Sequence, residues 1–203
     1  MFAVPIFYAR SKASTTFDEI SMLTTHPSLD RCQEVFNQVE KMIENRYGIP
    51  VRIGDVIDPF TGDLDGAEIH IDHDIDAEEA LFILVHLFGH TVQWNLSERG
   101  RTLGVQQPDT GISEERLDEL YDYEREAAEL SLRLFHEAGI FDLDQWISDF
   151  FHCDWAYLSQ FYRTGEKLPF RSFWRNGTEC LDPKLIPIFT PKRWRTRADG
   201  IVL

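Results

Sequence analysis

Residues 84–94 read LVHLFGHTVQW. With the preceding Ala80-Leu81-Phe82-Ile83, the stretch carries apolar side chains at every angle of a helical projection, so the pattern predicts a central helix packed all round. Asp76-Ala77-Glu78-Glu79 opens it as a capping box, with Asp76 as N-cap and Glu79 reaching back, and the helix runs to about Trp94. His86 and His90 stand four apart on it. Side chains at that spacing lie one above the other with Cβ atoms about 6 Å apart, close enough for two imidazoles to converge on one cation. The alternative is a hydrogen-bonded pair of core histidines. Two buried imidazoles without partners would each carry an unmet polar group, a cost that a bound metal removes.

Upstream, Ser28 to Tyr47 reads as a helix, with Val35, Phe36, Val39, Met42 and Ile43 at helical spacing, Gly48 placed to close it and Pro50 to stop it. The period then falls to two. Val51, Ile53 and Val56, and later Ile69 and Ile71, read as two strands joined by a hairpin connection through DPFTGDLDG. That segment lacks the spaced carboxylates and closing Glu of a calcium loop, so its acidic residues read as turn chemistry. Downstream, Glu98 to Ile112 has three glycines and Pro108 and reads as an irregular loop or flap. A long helix follows from Ser113 to about Ala138, closed by Gly139. An aromatic helix runs from Asp142 to about Arg163, and a proline-bearing tail wraps the surface. The class is α+β, a small antiparallel or mixed sheet packed on a central helix.

The chain has 203 residues and reads as a single domain, 1–203, large enough to bury a core without disulfides. Residues 1–162 carry 11 Lys/Arg against 31 Asp/Glu, and residues 163–203 carry 9 against 4. Such an acidic body argues against phosphate-mediated binding of nucleic acid. The basic tail, with Lys192-Arg193-Trp194-Arg195, is expected to lie against that body. No apolar run approaches the roughly 20 residues of a membrane span. The N-terminus lacks a basic n-region, and three widely spaced cysteines read as reduced thiols of a cytoplasmic protein.

A third metal ligand has to come from another element. On the long helix, with Leu117 at zero and about 100° per residue, the apolar and small residues fall between about 260° and 40°. Glu124 falls at about 340°, inside that stripe, whereas Glu126 and Glu129 fall at about 180° and 120°, on a solvated face. A lone glutamate on a buried stripe costs several kcal/mol unless it pairs or binds a cation. Ala127, Ala128 and Ser131 beside it are small, which allows this helix to approach the histidine helix closely.

The succession YGIPVRI, a turn-rich loop, AEIHIDHD, a capped helix with HLFGH, and then EREAAELS resembles the ImmA/IrrE-type zincin metallopeptidases over residues 30–137; residues 138–203 lie outside the likeness. The resemblance implies a zincin-like fold, zinc as cofactor, and a peptide or protein as substrate or partner. His86 and His90 match the zinc histidines and Glu124 the glutamate ligand. The departure is Leu87, which stands where the family has the glutamate that activates water. His70 and Asp72 of the strand AEIHIDHD are the candidates to replace it, with His73 read as a core histidine. Gln93 is placed to orient a ligand from outside the coordination sphere, and His152-Cys153-Asp154 is a further group read as helix packing. Two histidines and a carboxylate also describe non-haem Fe(II) sites. A former peptidase kept as a binding module for a protein partner is the non-catalytic alternative.

Overall fold

The computed structural model describes residues 26–56, 60–105 and 110–195. The N-terminal segment, Pro108 and the last eight residues lie outside them. Helix α1 (Leu29–Met42) starts at Ser28, whose side chain accepts from the Arg31 amide, and continues as a wider π turn through Ile43–Tyr47 to Gly48 at φ 67°. Three strands follow: β1 (Val51–Gly54), β2 (Gly62–Leu64) and β3 (Ile69–Asp72). Helix α2 (Ala77–Leu96) leads to α3 (Glu98–Val105), α4 (Glu114–Glu137), α5 (Asp144–Thr164) and a short 3-10 turn at Phe170–Phe173. The molecule is α+β with a mixed sheet.

The expected hairpin between β1 and β3 is not what forms. β1 pairs with β3 in parallel, Val51 opposite Ile69, and β2, hidden in the turn-rich connection, pairs with β3 antiparallel, Leu64 opposite Ile69. The tight turn is Asp65–Glu68, where the Asp65 carboxylate accepts from the amides of Ala67 and Glu68 at 2.9 Å each. The acidic residues there do the work of a turn. β1 is an edge strand, and its Ile53 is 58% exposed although Val51 on the same face is buried.

Helix α2 packs against α1, α3, α4, β2 and β3, and its residues from Leu81 to Trp94 are buried. Its start is capped by Asp76, which accepts from the Glu79 amide at 2.9 Å. The Glu79 carboxyl does not close the box. Burial, with Asp76 nearby, pushes its pKa up to about 8 despite the opposing charge of Arg171, and Glu78 and Asp72 add to the rise. Between about pH 4.5 and 8 the folded protein therefore holds a proton that the unfolded chain releases, and stability falls as pH rises through that window. Glu79→Gln is expected to melt above the native chain at pH 8 and level with it at pH 4, a difference that paired thermal melts read directly.

Residues 98–105, expected to be irregular, are helical. Ser97 caps α3 by accepting from the Gly100 amide at 3.0 Å. The glycines serve close packing: a Cβ at Gly104 would stand 2.4 Å from Trp94 Nε1 and 2.5 Å from the Tyr123 hydroxyl. Beyond α5 the tail runs over the acidic body as its charge suggests. Arg171 pairs with Glu78, Lys184 with Glu126, Arg193 with Asp65 and Arg195 with Asp63. Arg195 also donates to the Leu64 carbonyl of β2.

Candidate metal centre

Two helices build the site. His86 and His90 project from one face of α2, and Gly89 between them has no side chain, so the backbone of α4 at Ala127 comes within reach. A Cβ at Gly89 would lie 2.2 Å from the Ala127 carbonyl oxygen. Ser131, one turn further along α4, donates to the Val85 carbonyl at 2.7 Å and ties the helices together. Small residues thus set the spacing, as the sequence suggests, and Glu124 is delivered to the histidines.

The three donor atoms converge. His86 Nε2 and His90 Nε2 are 2.9 Å apart, and Glu124 Oε2 lies 3.2 Å from the first and 3.1 Å from the second. A tetrahedral ion with bonds of about 2.0–2.1 Å sets its donors about 3.3 Å apart, so the cage needs only slight expansion to hold one. Among the described residues these are the one group of three or more His, Cys, Asp or Glu whose donor atoms all lie within 4.8 Å of one another. All three are buried.

The proton inventory also favours a cation. The Gln93 amide donates through Nε2 to the Tyr123 carbonyl (2.8 Å) and to Glu126 Oε2 (2.7 Å), which turns its Oε1 toward His90 Nδ1 at 2.8 Å. His90 must then carry its proton on Nδ1 and present a lone pair from Nε2 to the cage. Burial, reinforced by His90, drives His86 toward the neutral form. Burial alone would raise the Glu124 carboxyl, but the charge of His90 and hydrogen bonds from both imidazoles outweigh it and hold it at about 2. An anionic oxygen and imidazole lone pairs facing one point constitute a receptor for a positive ion. His86 Nδ1 is buried without a hydrogen-bond partner, so only one of the two histidines is held in place from behind. Phe82 stacks on His86 at 5.2 Å and Tyr123 on His90 at 4.6 Å, which walls the imidazoles with rings.

Gln93 therefore holds the position expected of it. Replacing it by leucine removes the bond that fixes the His90 tautomer, and zinc affinity is expected to fall about 10–100-fold, read by competition with a chromogenic chelator. Glu126, expected on a solvated face, reaches around the helix to Gln93 and is the outer end of the chain Glu126–Gln93–His90; a wheel angle does not reveal how far a long side chain extends.

Leu87 is 1% exposed and points into the core. A Cβ at Gly62 would stand 2.4 Å from Ile83 and 2.8 Å from Leu87, so these residues seat β2 on α2. His70 Nε2 lies 2.6 Å from Glu68 Oε1, and Asp72 accepts from the Asp74 amide at 2.9 Å; neither belongs to the three-donor group. His73 is not in the core. It lies past the end of β3, its side chain half exposed beside Asp55 and Asp74. His152 Nε2 contacts the Glu179 carbonyl, and Cys153 donates to the Phe170 carbonyl, as packing residues of α5.

No protein-family model, curated protein or solved structure matches this chain.

Proposed function

We propose that the chain is a zincin-like zinc protein with a peptidase-type centre, acting as a hydrolase on an amide bond of a peptide or protein. The observation that carries the reading is the convergence of two imidazole nitrogens and one carboxylate oxygen in a buried cage, the donor set that leaves a fourth zinc position open. Zinc bound there would supply Lewis acidity toward a carbonyl oxygen and acidify a nearby water. His86 and His90 hold the ion from α2, Glu124 holds it from α4 and offsets part of its charge, and Gln93 keeps His90 aimed. The reading also draws on the resemblance of residues 30–137 to zincin peptidases. Cys32, Cys153 and Cys180 are free, which agrees with the cytoplasmic setting we propose. Among the described residues no helix is long and apolar enough to cross a membrane.

The test is metal analysis of the purified full chain, followed by turnover of a fluorogenic peptide pool with and without chelator. One zinc per chain and chelator-sensitive cleavage restored by zinc are expected. A chain that binds no metal overturns the proposal. The packing of Leu87 against β2 favours one second reading, a metal-stabilised module that holds a polypeptide without cleaving it; zinc without turnover selects it. Iron in anaerobically purified protein reassigns the same donors to Fe(II) chemistry.

A further inference from the structure

With residue 87 committed to the core, a carboxyl that handles protons at this centre has to come from an element other than α2. α5 runs beside both ligand helices. Its Phe150 stacks on Phe82 at 3.8 Å, and Phe82 in turn stacks on His86. Phe151 and Trp155 lie against Tyr121 of α4, at 5.9 and 5.3 Å, three residues before Glu124. At about 100° per residue Asp154 falls between Phe150 and Phe151, on the face of α5 turned toward α2 and α4.

Asp154 is 6% exposed, and it has no hydrogen bond or ion pair among the described residues. An unpartnered buried carboxyl is costly to a fold, and its surroundings point it at the metal cage. Burial first, then the charge of Glu124, raise its pKa well above the usual range. Burial and Asp154 raise the Tyr157 hydroxyl, which is itself buried without a partner; burial, Glu124 and Asp154 raise Tyr162. Asp154 thus lies between these two tyrosines and the ligand Glu124. It is not among the donors within 4.8 Å of one another, so it stands beside the ion's position and is not a ligand to it.

We infer that Asp154 is the acid–base group of the centre, doing from α5 what the residue after the first histidine does in the peptidases the sequence resembles. The inference rests on the metal reading above. With an amide substrate, one O–H bond of water breaks and its proton passes to the Asp154 carboxylate. The water oxygen bonds to the carbonyl carbon, the C–N bond breaks, and Asp154 returns the proton to the departing amine nitrogen; the second water hydrogen stays with the new carboxyl group. A cation on Glu124 cancels the charge that opposes ionisation of Asp154 and so readies it to accept.

The test uses the full chain loaded with Co(II), whose visible spectrum reports its coordination, titrated with pH in the native protein and in Asp154→Asn. The asparagine variant is expected to keep one Co(II) per chain with affinity within about threefold of native, since an outer group contributes less than a ligand. Its spectral midpoint is expected to fall by about one pH unit, because a negative neighbour of the water is lost. Peptide turnover is expected to fall about 10²–10⁴-fold in kcat with KM little changed. Asp154→Ser, smaller than the native residue, is the second variant should asparagine fail to pack. An unchanged midpoint in a variant that binds Co(II) overturns the inference and leaves the metal site standing. Loss of Co(II) from the variant also overturns it, by making Asp154 a ligand. A native chain that takes up no Co(II) removes the metal reading itself.

Discussion

Glu124→Ala is expected to abolish zinc binding and, with it, most of the response of the fold to metal. The native chain binds an ion that the unfolded chain has no cage for, and zinc at about 1,000 times its dissociation constant adds about 4 kcal/mol of stability. For a chain of this length each kcal/mol moves the midpoint about 2–4 °C, so zinc is expected to raise the native melting temperature by about 8–16 °C. In Glu124→Ala the two imidazole nitrogens remain 2.9 Å apart with no anion between them. Affinity should fall well beyond the 10–100-fold that follows loss of an outer partner, and the zinc-dependent rise in melting temperature should vanish. Calorimetric melts of both proteins with zinc and with chelator check this; a native chain whose melting ignores zinc would refute it.

Gly89→Ala is expected to be the most damaging single-methyl change in the molecule. Its Cβ would meet the Ala127 carbonyl oxygen, carbonyl carbon and Cα at 2.2, 2.8 and 2.9 Å. These are backbone atoms of a packed helix, which cannot rotate away, so α2 and α4 must part. Overpacking of this kind costs about 3 kcal/mol, a fall of about 6–12 °C in melting temperature. Zinc affinity should drop as well, although every ligand is intact, because Ala127 lies one turn from Glu124 and moves with it. Gly54→Ala is the control: nothing lies within 4 Å of its Cβ position, so its stability should stay within about 0.5 kcal/mol of native.

The parts of this site that follow from local periodicity can be read from the sequence. His86 and His90 share a face because they are four apart, and Glu124 betrays itself because a charge on an apolar stripe needs a partner. The parts that depend on long-range contact cannot be read so. A strand–turn–strand pattern looks the same whether its strands pair with each other or on opposite sides of a third, so the parallel pairing of β1 with β3 and the existence of β2 were hidden. Gly100 and Gly104 look like loop residues until Gln93, Trp94 and Tyr123 are seen to need the space they leave. His73 shares the parity of Ile69 and Ile71, but alternation has no meaning once the strand has ended at Asp72. Asp154 was visible as a residue beside His152 and Cys153, yet its relation to Glu124 exists only once α5 is laid across both ligand helices.

The contact of Arg195 with the Leu64 carbonyl spans 131 positions of sequence. β2 is an edge strand of three residues, and such an edge presents unpaired carbonyls and amides on which another chain can add. The guanidinium that covers one of those carbonyls leaves the ribosome long after the sheet has been made. A growing chain therefore carries an open strand edge through most of its synthesis, beside the helix that bears the metal ligands. Arrest or cleavage ahead of the tail leaves that edge open to aggregation even if every residue of the metal cage is already in place.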